Sequence, residues 1–125
     1  MAELTVGFSV HGDVAGFDRR RSFQCGEVRQ GKTLVQAGRA RALTVGVPAS
    51  RLAVLALWAD NPAFLTVVSD EGDWSFALDG APLVLAGRSV GAAAGGEVRE
   101  VELRADEGDA LVSWFIGVAD EGGDE

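Results

Sequence analysis

At 125 residues the chain has the length of one domain, which at this size buries roughly two-thirds of the surface its unfolded form exposes. A hydrophobic content of 47% excludes a disordered chain, and 19 acidic against 11 basic residues, net -8, argue against nucleic acid, whose phosphates call for a basic patch. Cys25 is the single cysteine and His11 the single histidine, which excludes an internal disulfide and any metal centre built on several imidazoles of one chain.

The opening residues Met1-Ala2-Glu3-Leu4 carry neither the basic nor the apolar stretch of a secretory signal, and no apolar run approaches the ~20 residues that span a bilayer. The expectation is a protein made and kept in the cytosol, or leaving it by another route, with no membrane partner. Leu4, Val6, Phe8 and Val10 then alternate with small or polar residues, the period of a strand with one apolar face. Gly12 to Gly16 turns the chain. Arg20 to Cys25 reads as a second, more polar strand, with Phe23 and Cys25 facing in, Cys25 as a buried thiol, and the arginines on an edge or outer face.

Lys32 to Val47 fits a helical period at Leu34, Ala37, Ala40 and Leu43, but Gly38 and the β-branched Thr44, Val45 and Val47 favour two strands. Arg51 to Trp58 is almost wholly apolar, as a central strand covered on both sides would be; Ala and Leu would also suit a short helix, but length and the Pro-bearing turn at Asp60 to Pro62 favour a strand. Ala63 to Val68, Trp74 to Leu78 and Pro82 to Ala86 predict three short strands in a meander, with Asp79-Gly80 suited to a hairpin turn. Gly91 to Gly96 is a small-residue loop. Val98 to Leu103 and Ala110 to Val118 form the final pair, with Trp114 and Ile116 on one face and Val112 and Phe115 suggesting burial on both. The acidic tail 120–125 is expected to be flexible.

Acidic, glycine-bearing turns at 60–62, 70–73, 79–82, 95–96 and 106–109 fall near the 8–12-residue spacing of a β-sandwich or barrel. The prediction is an all-β chain: a single antiparallel β-sandwich, jelly-roll-like, of eight or nine short strands over residues 1–119.

Catalytic chemistry finds little to build on. A Cys25/His11 pair lacks a third orienting group, and the glycine segments have neither Walker nor dinucleotide spacing. The carboxylates of 70–73 and 106–109 could suit a hard cation, but neither segment has EF-hand spacing, and Asp and Gly are what tight turns require. Paired acids for glycoside hydrolysis need a cleft, whereas these cluster in turns. No enzyme activity, cofactor or metal is therefore expected. Trp58, Trp74 and Trp114 each lie in a predicted strand, which favours core packing; an exposed row would instead indicate sugar or peptide binding. Arg19-Arg20-Arg21 reads as a solvated edge that blocks strand addition, or as an anchor on an acidic partner, since successive strand residues alternate faces and at least one points outward.

Val67-Val68-Ser69-Asp70, a strand, and then Leu78-Asp79-Gly80-Ala81-Pro82-Leu83-Val84-Leu85-Ala86-Gly87 resemble a pattern in small β-rich structural proteins of tailed bacteriophages. The opening strand, the polar second strand and the aliphatic Leu52 to Trp58 strand fall in compatible order. The loop between Leu78 and Pro82 is shorter here, and the acidic tail is additional. The resemblance implies a virion protein made in the host cytoplasm, of the capsid decoration (cement) type, with the major capsid protein or another virion protein as partner and a homo-oligomer, a trimer, as its form. A tail or baseplate component, or a carbohydrate- or peptide-binding module, is the alternative. Met1, Ala2, Glu3, Leu4, Arg19, Arg20 and Arg21 are the expected contact residues.

Overall fold

A computed structural model describes residues 2–80, 82–86 and 96–119. They form β1 (Ala2–His11), β2 (Gly16–Cys25), β3 (Glu27–Val35), β4 (Arg39–Pro48), β5 (Leu52–Ala59), β6 (Ala63–Ser69), β7 (Gly72–Leu78), β8 (Leu83–Ala86), β9 (Glu97–Ala105) and β10 (Ala110–Val118), with one 3-10 turn at Ala49–Arg51. The small-residue loop, apart from Gly96, and the acidic tail lie outside the described residues, as do Met1 and Ala81.

The pairing is nested. β6 and β7 form a hairpin, β5 pairs with β8, β4 with β9 and β3 with β10, all antiparallel. The eight strands are thus one long two-stranded ribbon. Ladders β10–β5 and β9–β6 roll it into two four-stranded sheets, β3-β10-β5-β8 and β4-β9-β6-β7, the jelly-roll arrangement. The expected antiparallel sandwich is present, with ten strands in place of eight or nine. β1 and β2 form a separate two-stranded ribbon.

Period-two alternation places the core. Leu65 and Val67 of β6 and Val101 and Leu103 of β9 face Leu55 and Leu57 of β5 and Val112 and Ile116 of β10, and all are buried. Two such inner faces pack about 10 Å apart, so each side chain meets both its sheet neighbours and the opposite layer.

Four expectations change. The meander ends after β7: Asp79-Gly80, with Gly80 at φ 80°, carries the chain across to the other sheet, where β8 pairs with β5. Its Leu83 and Leu85 pack against the common core there. The second strand begins at Gly16, because Phe17, Arg19, Arg21, Phe23 and Cys25 keep the alternation even where no core faces them. β5 is central in its sheet, but its outer face is covered at Val54 and open at Trp58. Phe115 likewise points outward and is exposed, while Val112, Trp114 and Ile116 share the inner side.

Candidate interaction surfaces

The β1–β2 ribbon is an arm. Its register runs from Ala2 opposite Cys25 to His11 opposite Gly16, and the tip closes with the Gly12 N–H donating to the Ala15 carbonyl at 2.9 Å. Ten residues per strand make it about 33 Å long. Only its base is rooted: Leu4, Val6, Phe23 and Cys25 pack on Val28, Ala53 and Val54, on the outer side of the β3-β10-β5-β8 sheet. Gly117 lies beneath this contact, within van der Waals reach of Leu4, Cys25 and Val54.

The arm has two faces. Glu3, Thr5 and Gly7 with Gln24, Ser22 and Arg20 form a polar one, held by a 2.9 Å Thr5–Ser22 hydroxyl bond and a Gln24–Glu3 bond at 3.4 Å. Leu4, Val6, Phe17, Arg19, Arg21 and Phe23 fall on the other. There the Arg19 guanidinium lies 5.9 Å from the Phe17 ring centroid and that of Arg21 5.0 Å from the Phe23 centroid. These contacts hold both cations along the arm and leave their outer edges to solvent. Of the expected contact residues, Arg19, Arg20 and Arg21 are all exposed, Glu3 is exposed, and Ala2 and Leu4 are half-buried at the root. Among the described residues none of the three arginines has a carboxylate within ion-pair distance; the ion pairs present join Arg29 to Glu27, Arg99 to Asp70 and Arg104 to Asp106.

A second surface adjoins the arm. On the outer side of the same sheet, Leu34, Leu111, Trp58, Phe115 and Val84 are all exposed, Trp58 by 43%. Register makes them neighbours: Leu34 opposes Leu111, Ser113 opposes Trp58, and Phe115, Ala56 and Val84 form one cross-strand row. An apolar sheet face of this kind, continuous with the face already covered by the arm's root, has the character of an interface. Composition hid it, because an apolar residue within a strand reads as core; the outward phase of Phe115 and Trp58 against the inward neighbours of each was the available signal. The core role expected for the tryptophans is corrected for two of them: Trp58 faces out here, and Trp74, 45% exposed, sits at the edge strand β7 beside Phe76. Trp114 is half-buried and donates its indole N–H to Thr33 Oγ1 at 3.0 Å.

The turn carboxylates serve the fold. Asp60 accepts the Leu111 N–H at 2.8 Å, Asp109 the Ala37 N–H at 2.9 Å, and Asp70 both the Glu97 N–H and the Arg99 guanidinium, the latter at 2.7 Å. The Arg99 hydrogen bond, then the Glu97 N–H, holds the Asp70 carboxyl below its ordinary 3.8. Glu27 is lowered likewise by Arg29. Among the described residues no three His, Cys, Asp or Glu side chains gather as a metal site. Cys25 is buried at the arm's root and His11 lies at its tip, so the strand between them separates this pair by about 30 Å of backbone.

No protein-family model and no curated protein matches the chain. Among solved structures, it is similar to a de novo designed double-stranded β-helix known from solution NMR, with a TM-score of 0.41 and 13% identity over 72% of this chain and 97% of that one.

Proposed function

We propose that this chain is a non-enzymatic structural protein that works by docking, and, following its resemblance to phage structural proteins, a capsid decoration protein on a virion. The observation that supports it is the open apolar face of Leu34, Trp58, Val84, Leu111 and Phe115 beside a projecting arm. Half-exposed side chains of this size leave roughly 1 kcal/mol each to be gained on burial. A protein that binds the assembled shell and not its dispersed subunits adds that free energy to the shell alone. Major capsid subunits are the proposed partner, with Arg19, Arg20 and Arg21 as charged contacts at the rim.

Light scattering coupled to size exclusion, on the protein alone and mixed with tailed-phage shells, tests the reading. Co-elution with shells that is lost in a Trp58→Glu/Phe115→Glu variant is the expected result; a protein that elutes apart from every shell overturns it. The exposure of Trp58 favours one second reading, a carbohydrate- or peptide-binding module. Tryptophan fluorescence that shifts with oligosaccharides or peptides, and not with shells, would select it.

A further inference from the structure

The molecule carries a second charged row that matches the arm. On the outer side of the β4-β9-β6-β7 sheet, Glu102 of β9 is exposed and Glu100, two residues before it on the same side, is half-buried. Their cross-strand neighbours are Thr44 and Val68 for Glu100 and Ala42 and Thr66 for Glu102, with no cation among them. Among the described residues neither glutamate is in an ion pair. Arg104, next in phase along β9, is held by Asp106 at 3.4 Å and by the Phe64 ring at 5.5 Å.

Arg19 and Arg21 are also two strand residues apart on one face, and also lack carboxylate partners among the described residues. A two-residue step is about 6.7 Å in any strand, so an arm laid along β9 brings Arg19 to Glu102 and Arg21 to Glu100 at once. Four charges, exposed at Arg19, Arg21 and Glu102 and half-buried at Glu100, without ion pairs among the described residues, become two matched pairs. The arm cannot make this contact within its own chain: its root sits on the outer side of the opposite sheet, and the acidic row lies beyond the full thickness of the sandwich.

We infer that the arm of one copy docks on the acidic β9 face of a second copy. The two surfaces differ, so the contact is either exchanged reciprocally in a two-fold dimer or repeated head-to-tail into a ring or a filament. This goes beyond the shell-binding reading and does not rest on it, because it concerns the purified protein alone.

Charge reversal tests it. Sedimentation equilibrium is expected to show self-association at low salt that weakens toward 1 M salt, where screening acts within about 3 Å. R19E/R21E and E100R/E102R are each expected to weaken association at least about tenfold, since both juxtapose like charges. Mixed together, these two variants are expected to associate with each other: the positive arm of the second meets the negative face of the first, and the reverse. Arg19, Arg21 and Glu102 are exposed and Glu100 is half-buried, so circular dichroism spectra should match wild type for both variants. A wild-type monomer at low salt, variants that associate as tightly as wild type, or a mixture no tighter than either variant alone would overturn the inference. Loss of shell co-elution with self-association intact would count against the shell reading only.

Discussion

Gly117 is where the arm and the sandwich come closest. A Cβ there would lie 2.8 Å from Val54 Cγ1, 2.9 Å from Cys25 Sγ and 3.7 Å from Leu4 Cδ2, so the root of the arm fits because this position has no side chain. Gly117→Ala is expected to cost about 1–3 kcal/mol in urea unfolding, as overpacking does in a filled contact. It is also expected to speed the reaction of Cys25 with a thiol reagent under native conditions, because the methyl group lifts the lid over that sulfur. An unchanged midpoint and an unchanged reaction rate would show that the root does not pack as described. The arginines illustrate what a residue's type conceals: read alone, Arg19 and Arg21 are solvated charge, yet stacking on Phe17 and Phe23 gives them a direction.

Among the elements, the β6–β7 hairpin shows how an acidic turn is used. Asp70 leaves the hairpin to bind the start of β9, through the Glu97 N–H and Arg99, and so fixes the ladder between β6 and β9 at its end. Its folded-state carboxyl is held below 3.8, so its contribution to stability is present above the unfolded value and is lost as the pH falls through the folded one. Asp70→Asn is expected to be less stable than wild type at neutral pH, with the two stabilities converging below about pH 3.8. A constant gap measured by thermal unfolding from pH 7 to 3 would contradict this. The turn itself was legible from Asp, Glu and Gly in sequence; its partner strand, 27 residues away, was not.

For the whole molecule, one core spans both sheets, and the arm joins the sandwich only at its root, through a second, smaller cluster on the outer side of one sheet. Replacing residues 7–20 by a short turn keeps the pairs from Ala2–Cys25 to Val6–Arg21 and is expected to leave a single unfolding transition with little change in midpoint, because Gly7 and Ser9 of β1 and all of β2 from Gly16 to Arg20 are exposed. Leu65→Ala, in the centre of β6 and fully buried, is expected to cost about 2–5 kcal/mol by the same measurement. A large loss from the arm deletion would place the arm in the cooperative core. An element so long and so lightly rooted is expected to add little to folding.

The sequence by itself determined the all-β class, most strand positions, the turns between them and the arginine run, because alternation and turn chemistry are properties of neighbouring residues. Only the tertiary structure decided that β8 leaves β7 for β5, that the first two strands stand apart as an arm, and that the outer face holding Trp58 and Phe115 is left open. An apolar side chain records that it gains by burial, not what buries it; a strand edge records unpaired backbone groups, not which strand completes them. Both are settled by contacts between residues far apart in the chain, which a local pattern does not encode.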